Sequence, residues 1–340
     1  RLRNAWAEYK REGERRDEEM RKEHGGRAPD FGDPTAALAD LDGKVRRLLD
    51  VLGDLDEARL ETNTDDAGAH SRVIMVPRAN GTVAAREIQS LVVGDTAPLQ
   101  EMPAGAVVAM LSRDSEELRK VGAKDQADGL AKVLGDRISA DHRKKVSQVL
   151  DTLAASRGDW LGAAVTWGPK EQSLLIRGEV KDTAALDKSI AQVFEIARLP
   201  GLQEPIERVA GKLAVGKQTT AGSVRTVHVK REVVSKPKEP PSKSEFDIRW
   251  DTTAPVFSVV ATADAKAWSA AREKDKGPTI GTEPMLANAL KPLGNEASFV
   301  FMVQPARLST LLSPRAVEPK ETAAPVVFSY GRAKADGWFR

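Results

Sequence analysis

The sequence has no cysteine, only 5% aromatic residues, and near balance of charge, with 52 Lys+Arg against 50 Asp+Glu. Each shortage excludes something. Without cysteine there is no disulfide, no thiolate zinc site, no iron–sulfur cluster and no thiol nucleophile. A net charge of +2 does not suit a dedicated nucleic-acid binder, though it leaves room for a local basic patch. No apolar run reaches the ~18 residues that span a bilayer as a helix. The longest, such as Gly105–Leu111 and Phe299–Val303, are strand-sized. Phosphate loops are missing too: no Walker glycine spacing precedes Gly211-Lys212 or Gly216-Lys217, and no GxGxxG follows a strand. The nearest approach to a hydrolase elbow, Ala221-Gly222-Ser223, lacks the second glycine.

What remains is ordinary globular material, 41% hydrophobic and 30% charged over 340 residues. That length suggests about two domains and a buried core. Neither end reads as natural: Arg1 is not Met, and Gly337–Arg340 looks like mid-strand. Residues 1–24 read as a charged helix with acid-first pairs Glu12/Arg16, Asp17/Arg21 and Glu18/Lys22. Leu2, Trp6 and Tyr9 share one face of it. It is either a solvated helix docked at one end or an arm that binds a protein partner.

From Thr35 the apolar spacing Leu38, Leu41, Val45, Leu48, Leu49, Leu52 predicts an amphipathic helix, stopped at Gly53. Strands follow near Glu57–Asn63 and Arg72–Pro77. The same order recurs with a helix face at Val146, Val149, Leu150 and Leu153, then strands Trp160–Thr166 and Gln172–Val180. It recurs again with Met285, Leu286, Ala289, Leu290 and Leu293 before the strand Ala297–Val303.

A second unit repeats: strand, polar cap, three residues, then a large apolar residue in a helix. Its copies are Asp114/Leu118, Asp182/Leu186, Asp264/Trp268 and Gln304/Leu308. A cap of this kind accepts from free N–H groups of the first helical turn and stabilises by about 1 kcal/mol. Pro305 fits the first helical position, where its missing N–H costs nothing. The expected fold class is therefore α+β: repeated strand–helix–helix–strand units, largely antiparallel sheets, and helices on one face. The expected layout is a charged arm or insertion at 1–34, an α+β region at 35–235, a Pro/Lys-rich connector at 236–245 and a second α+β region at 246–340.

Candidate chemistry is thin. His24, His70, His142 and His228 have no metal-like spacing and read as surface or satisfied residues. Asp54/Asp56 and Asp65-Asp66 sit in turns without EF-hand spacing. No catalytic, cofactor-binding or metal residue is assigned, and no cofactor is expected. Residues 217–243 carry seven basic side chains against two acidic ones, a charge of +5. Lys217, Arg225, Lys230, Arg231, Lys236 and Lys238 are its candidates for meeting an anionic partner or membrane surface. A lysine-protected strand edge explains the same pattern. Nucleic acid is not expected, because no aromatics interleave with the charges. Trp160, Trp167, Trp250 and Trp268 are candidates for lining an apolar ligand site between sheet and helices; core packing is the simpler reading.

The strand–Asp–x3–Leu units, with the entry Met102-Pro103-Ala104, resemble large uncharacterised exported proteins or lipoproteins of high-GC Gram-negative bacteria, particularly myxobacteria. The resemblance spans about residues 35–340. It implies an extracytoplasmic location, in the periplasm or at the outer membrane, and no known catalytic residues. Three functions stay open: a non-enzymatic binding or scaffolding protein of the envelope, a carrier of a lipid or other apolar ligand, and a hydrolase with a triad assembled across the chain.

Overall fold

The computed structural model describes residues 2–23, 34–65, 68–78, 81–134, 138–167, 172–199, 202–204, 206–207, 211–233, 241–253, 255–263, 278–312 and 324–340. Helices α1 (Leu2–Glu23) and α2 (Pro34–Gly53) precede the strand pair β1 (Leu55–Asp65) and β2 (Gly68–Pro77). Short helices α3 (Val83–Ser90) and α4 (Ala97–Gln100) lead into β3 (Ala106–Arg113). Then come α5 (Glu116–Leu134), α6 (Ala140–Ser156), β4 (Arg157–Trp167), β5 (Gln172–Val180) and α7 (Thr183–Ala197). A meander follows: β6 (Lys212–Ala221), β7 (Val224–Val233), β8 (Ser242–Asp251) and β9 (Val256–Thr262). The chain closes with α8 (Pro284–Leu290), β10 (Ala297–Val303), α9 (Pro305–Leu312), β11 (Val326–Ala333) and β12 (Asp336–Phe339).

The class is α+β, and the strands form a single twelve-stranded sheet, not several. Its order is β1-β2-β12-β11-β10-β3-β4-β5-β9-β8-β7-β6, and the neighbours pair antiparallel. Strands from the two stretches expected as separate regions alternate in it, with β10 beside β3 and β9 beside β5. Residues 236–240 lie outside the described residues, while Ser242–Glu245 already belong to β8.

Helices pack on both faces of the sheet, which corrects the expected one-sided layer. The reason is visible in two adjacent residues of β5. Leu175 joins a core with Ala109, Leu111, Val260, Val300 and Met302, covered by Leu99 of α4 and by Leu286 and Leu290 of α8. Ile176 points the opposite way and packs with Trp250, Phe257, Val227 and Val229 under Leu186, Ile190 and Phe194 of α7. Each fully buried leucine contributes about 1.5–3 kcal/mol, so apolar residues at both parities of a strand recruit cover on both sides.

The repeated cap unit survives in one described copy. Asp182 Oδ1 accepts from Ala185 N at 3.0 Å, and Leu186 is buried beneath α7. In the first copy the cap moves by one residue. Ser115 Oγ accepts from Leu118 N at 3.3 Å. Asp114 instead accepts from Ser112 Oγ and Arg157 Nη2, and Leu118 is exposed. The Asp264/Trp268 copy lies outside the described residues. In the fourth, Gln304 uses its backbone carbonyl to accept from Leu308 N, and its buried Oε1 has no partner among the described residues.

Candidate functional site

The Ile176 face holds the most unusual surface of the molecule. Antiparallel register places residues of adjacent strands directly opposite, with about 4.8 Å between strands. One row reads Leu60, Val73, Phe339, Tyr330 and Phe299 across β1, β2, β12, β11 and β10. The next reads Phe328, Phe301, Met110 and Ala163 across β11, β10, β3 and β4, and runs on to Ile176. A third reads Val326, Val303, Val108, Val165 and Leu174. Trp167 stands one step beyond it, opposite Gln172. No charged side chain interrupts the three rows.

These rows are open to solvent. Leu60 is 67% exposed, Phe328 47%, Phe339 45%, Trp167 43%, Val326 42%, Leu174 38% and Tyr330 37%. Described elements reach only the margins of the face. At one end Leu153 of α6 and Leu186 and Ile190 of α7 close over Leu161 and Ile176. Below β12, the Leu91 carbonyl accepts from Arg332 Nε at 3.0 Å. By contrast, Val300, Met302, Ala109, Leu111, Ala164 and Leu175, on the other face of the same strands, are all buried. Within the rows, Phe299 and Tyr330 stack with ring centroids 5.3 Å apart. Burial pushes the Tyr330 phenol above its ordinary pKa, and the nearby Asp114 carboxylate adds to the shift.

The tryptophans singled out in the sequence do not share one site. Trp160 packs against the Leu175 core. Trp250 is fully buried on the opposite face, stacked on Phe194 and donating from Nε1 to Asp187 Oδ1 at 3.0 Å. Trp167 belongs to the open face, and Trp268 lies outside the described residues. Two members of the basic stretch meet acids from outside it. Arg225 pairs with Asp187 of α7 and Lys230 with Glu245 of β8. Lys217 is exposed, Arg231 is half-buried with a partner, and Lys236 and Lys238 lie outside the described residues. On the same wing His228 sits 3.0 Å from Asp247 and 3.3 Å from Glu245. Those acids, Asp247 first, raise its pKa.

Other sites are modest. Among the described residues no three His, Asp or Glu side chains converge as a metal site. His142 opens α6, its backbone N–H donating to Ser139 Oγ. His70 lies on β2 opposite Asn63, and His24 is outside the described residues. Asp54 Oδ2 accepts from Val83 N at the start of α3, whose cap is Thr82, with Oγ1 accepting from Ala85 N. A cavity of about 580 Å³ lies between α1 and α2, lined by Trp6, Lys10, Arg11, Asp42 and Arg46. Another of about 510 Å³ lies between α6 and α7, lined by Lys145, Gln148, Lys188 and Ser189. None of the described helices is long and apolar enough to cross a membrane.

Of the open face, only Trp167 is among the candidates read from sequence. The signal of that face lies in Phe299–Val303, which carries large apolar side chains at both strand parities, and in the large apolar side chains Val326, Phe328 and Tyr330 at one parity of β11.

No protein-family model matches the chain, and no curated protein does. Among solved structures it is similar to one titled "Structure of crystal form I of TP0453", at 11% identity and a TM-score of 0.32, over 70% of this chain and 74% of that one.

Proposed function

We propose that this chain is a non-enzymatic binding or scaffolding protein of the bacterial cell envelope, and that it binds through the open Ile176 face. One observation carries the binding reading: three registered rows of apolar side chains, free of charge, that run over central strands β10, β3, β4 and β5 whose opposite face is packed. Contiguous apolar patches above about 300–600 Å² are uncommon on monomers and mark interaction surfaces. A hydrolase would need a histidine beside a nucleophile and an acid. His228 has its acids, but it lies on an exposed, salt-bridged wing. The envelope location rests on the resemblance of the strand–cap units to exported proteins.

The test is an apolar reporter of the folded chain. Dilute wild type should bind 8-anilinonaphthalene-1-sulfonate. The Phe328→Lys and Leu174→Lys variants should bind severalfold less, with unchanged circular dichroism. A chain shown to be monomeric and folded that binds no dye would overturn the reading.

A further inference from the structure

We propose that a second copy of this chain covers the open face, as a two-fold, sheet-on-sheet pair. This inference rests on the binding reading above and names its partner. Three observations favour a second copy over a small ligand or an unrelated segment.

The first is shape. From β1 to β3 the rows cross six adjacent strands, about 24 Å at ~4.8 Å per strand. Ligand sites are concave and enclose most of their ligand. An open sheet instead matches another sheet, and two sheets pack face to face about 10 Å apart.

The second is area. The seven most exposed side chains of the face range from 37% to 67% exposure. A whole aromatic side chain is about 150–250 Å², so at these exposures each presents roughly 60–120 Å²; with the half-buried members added, the face offers on the order of 800 Å². That is about what each partner contributes to a standard stable interface.

The third is the placement of charge. A two-fold interface sets a surface against itself, so every charge on it meets like charges near the axis. The rows satisfy this by having none. The segregation holds even at the sheet's edge, where solvent places no demand on parity. In β1, Glu57, Arg59 and Glu61 occupy the opposite parity, and Arg59 Nε lies 3.2 Å from Glu61 Oε1. Ala58 and Leu60 occupy the open face. In β2, Arg72 likewise turns away, stacking over Trp338 at 5.2 Å. Charge confined to one side leaves the other side of this edge strand uncharged, as a self-facing surface requires.

Sedimentation equilibrium on the full chain tests the pairing. Wild type should reach twice 36.8 kDa as concentration rises toward about 100 µM, with dye binding falling in step. Leu60→Lys and Phe328→Lys should each weaken the pair by about tenfold or more. Glu57→Lys, on the other face of the same edge strand, should not. Because the chain has no cysteine, single Cys substitutions at Leu60, Phe328, Phe339 and Leu174 give a second readout that tolerates a poorly folding lysine variant. At least one of the four should form an inter-copy disulfide, and Glu57→Cys should not. A chain that stays monomeric to about 100 µM, or a dimer indifferent to both lysines and uncrosslinked by all four cysteines, overturns the proposal. A monomer that still binds dye through Phe328 overturns the pairing and leaves the binding reading standing. A monomer that floats with phosphatidylcholine vesicles, and loses this in Phe328→Lys, overturns the pairing and assigns the face to lipid. A monomer that binds neither dye nor vesicles overturns both readings.

Discussion

Phe299 and Tyr330 face each other across β10 and β11, ring centroids 5.3 Å apart and planes 16° from parallel. The pair sits where the first apolar row passes from the outer strands to the centre of the sheet. Aromatic pairs in offset contact add about 0.5–1.5 kcal/mol beyond their burial. The same contact sets the environment of the Tyr330 phenol, which burial and Asp114 hold in its neutral form.

This gives a spectroscopic prediction. The chain has two tyrosines, Tyr9 and Tyr330, so a Tyr9→Phe background isolates Tyr330 in an ultraviolet pH titration. Its midpoint should lie above the ordinary value of 10. Phe299→Ala should bring it down by admitting water. In the unfolded chain the phenol ionises at the ordinary value. Its contribution to stability is therefore complete below 10 and is lost as pH climbs through the raised folded value. A midpoint at or below 10 would mean that neither partial burial beside Phe299 nor the Asp114 carboxylate acts on the phenol.

The strands were legible in the sequence because period-two alternation and turn residues mark them locally. The open face was not, for a physical reason. In β10, Phe299, Phe301 and Val303 alternate with Val300 and Met302. A strand with large apolar residues at both parities reads as buried on both sides. Only the register across β11, β10 and β3 shows that one parity lines up in rows that the described helices leave open. Long-range partners hid the rest. Within the +5 stretch, Arg225 and Lys230 find partners in Asp187 and Glu245, which the local composition does not show. Asp114 looked like a cap, yet Arg157, far along the chain, competes for its carboxylate, and Ser115 takes the capping role.

That shift of the cap separates two positions that share one sequence pattern. Leu186 is 1% exposed under α7, whereas Leu118 is 36% exposed on α5. Leu186→Ala should cost about 2–5 kcal/mol, and Leu118→Ala about 0.5 kcal/mol. Asp182→Ala should cost about 1 kcal/mol through its lost bond to Ala185 N. Urea unfolding of the three variants decides it. Equal losses at Leu186 and Leu118 would restore the two copies as equivalent units.

The core under α7 turns on a three-way contact. Trp250 stacks on Phe194 at 5.3 Å, and Asp187 Oδ1 accepts from both the indole Nε1 and Arg225 Nε. Trp250→Ala should cost about 3–5 kcal/mol. Asp187→Ala should cost about 1–3 kcal/mol by leaving the buried indole N–H without its acceptor. Trp250→Phe removes that donor, so adding Asp187→Ala to it should cost less than in wild type. Strict additivity of the two changes in denaturant unfolding would mean that the indole–carboxylate bond contributes nothing.

The docking of α1 makes the last prediction, and its sign follows from one carboxylate. Trp6 Nε1 donates to Asp42 Oδ1 at 2.7 Å, and Lys10 Nζ to Oδ2 at 3.1 Å. Arg46 Nη2 lies 3.1 Å from the same Oδ2. These donors, Trp6 first, hold the Asp42 carboxyl at about 2 instead of its ordinary 3.8. A depressed acid stabilises the docked helix fully above the ordinary value, and loses that effect as pH falls through the folded one. The Trp6 indole N–H resonance, identified by its disappearance in Trp6→Phe, should hold its position from neutrality past 3.8 and move only as pH approaches about 2. Asp42→Asn should flatten that titration, because the amide has no proton to gain. It should also make the lysine- and arginine-rich α1 more sensitive to trypsin at neutral pH, since Lys10 and Arg46 lose their counter-ion. An inflection at the ordinary value, or an unchanged cleavage rate in Asp42→Asn, would mean that α1 is held to α2 by its apolar contacts alone.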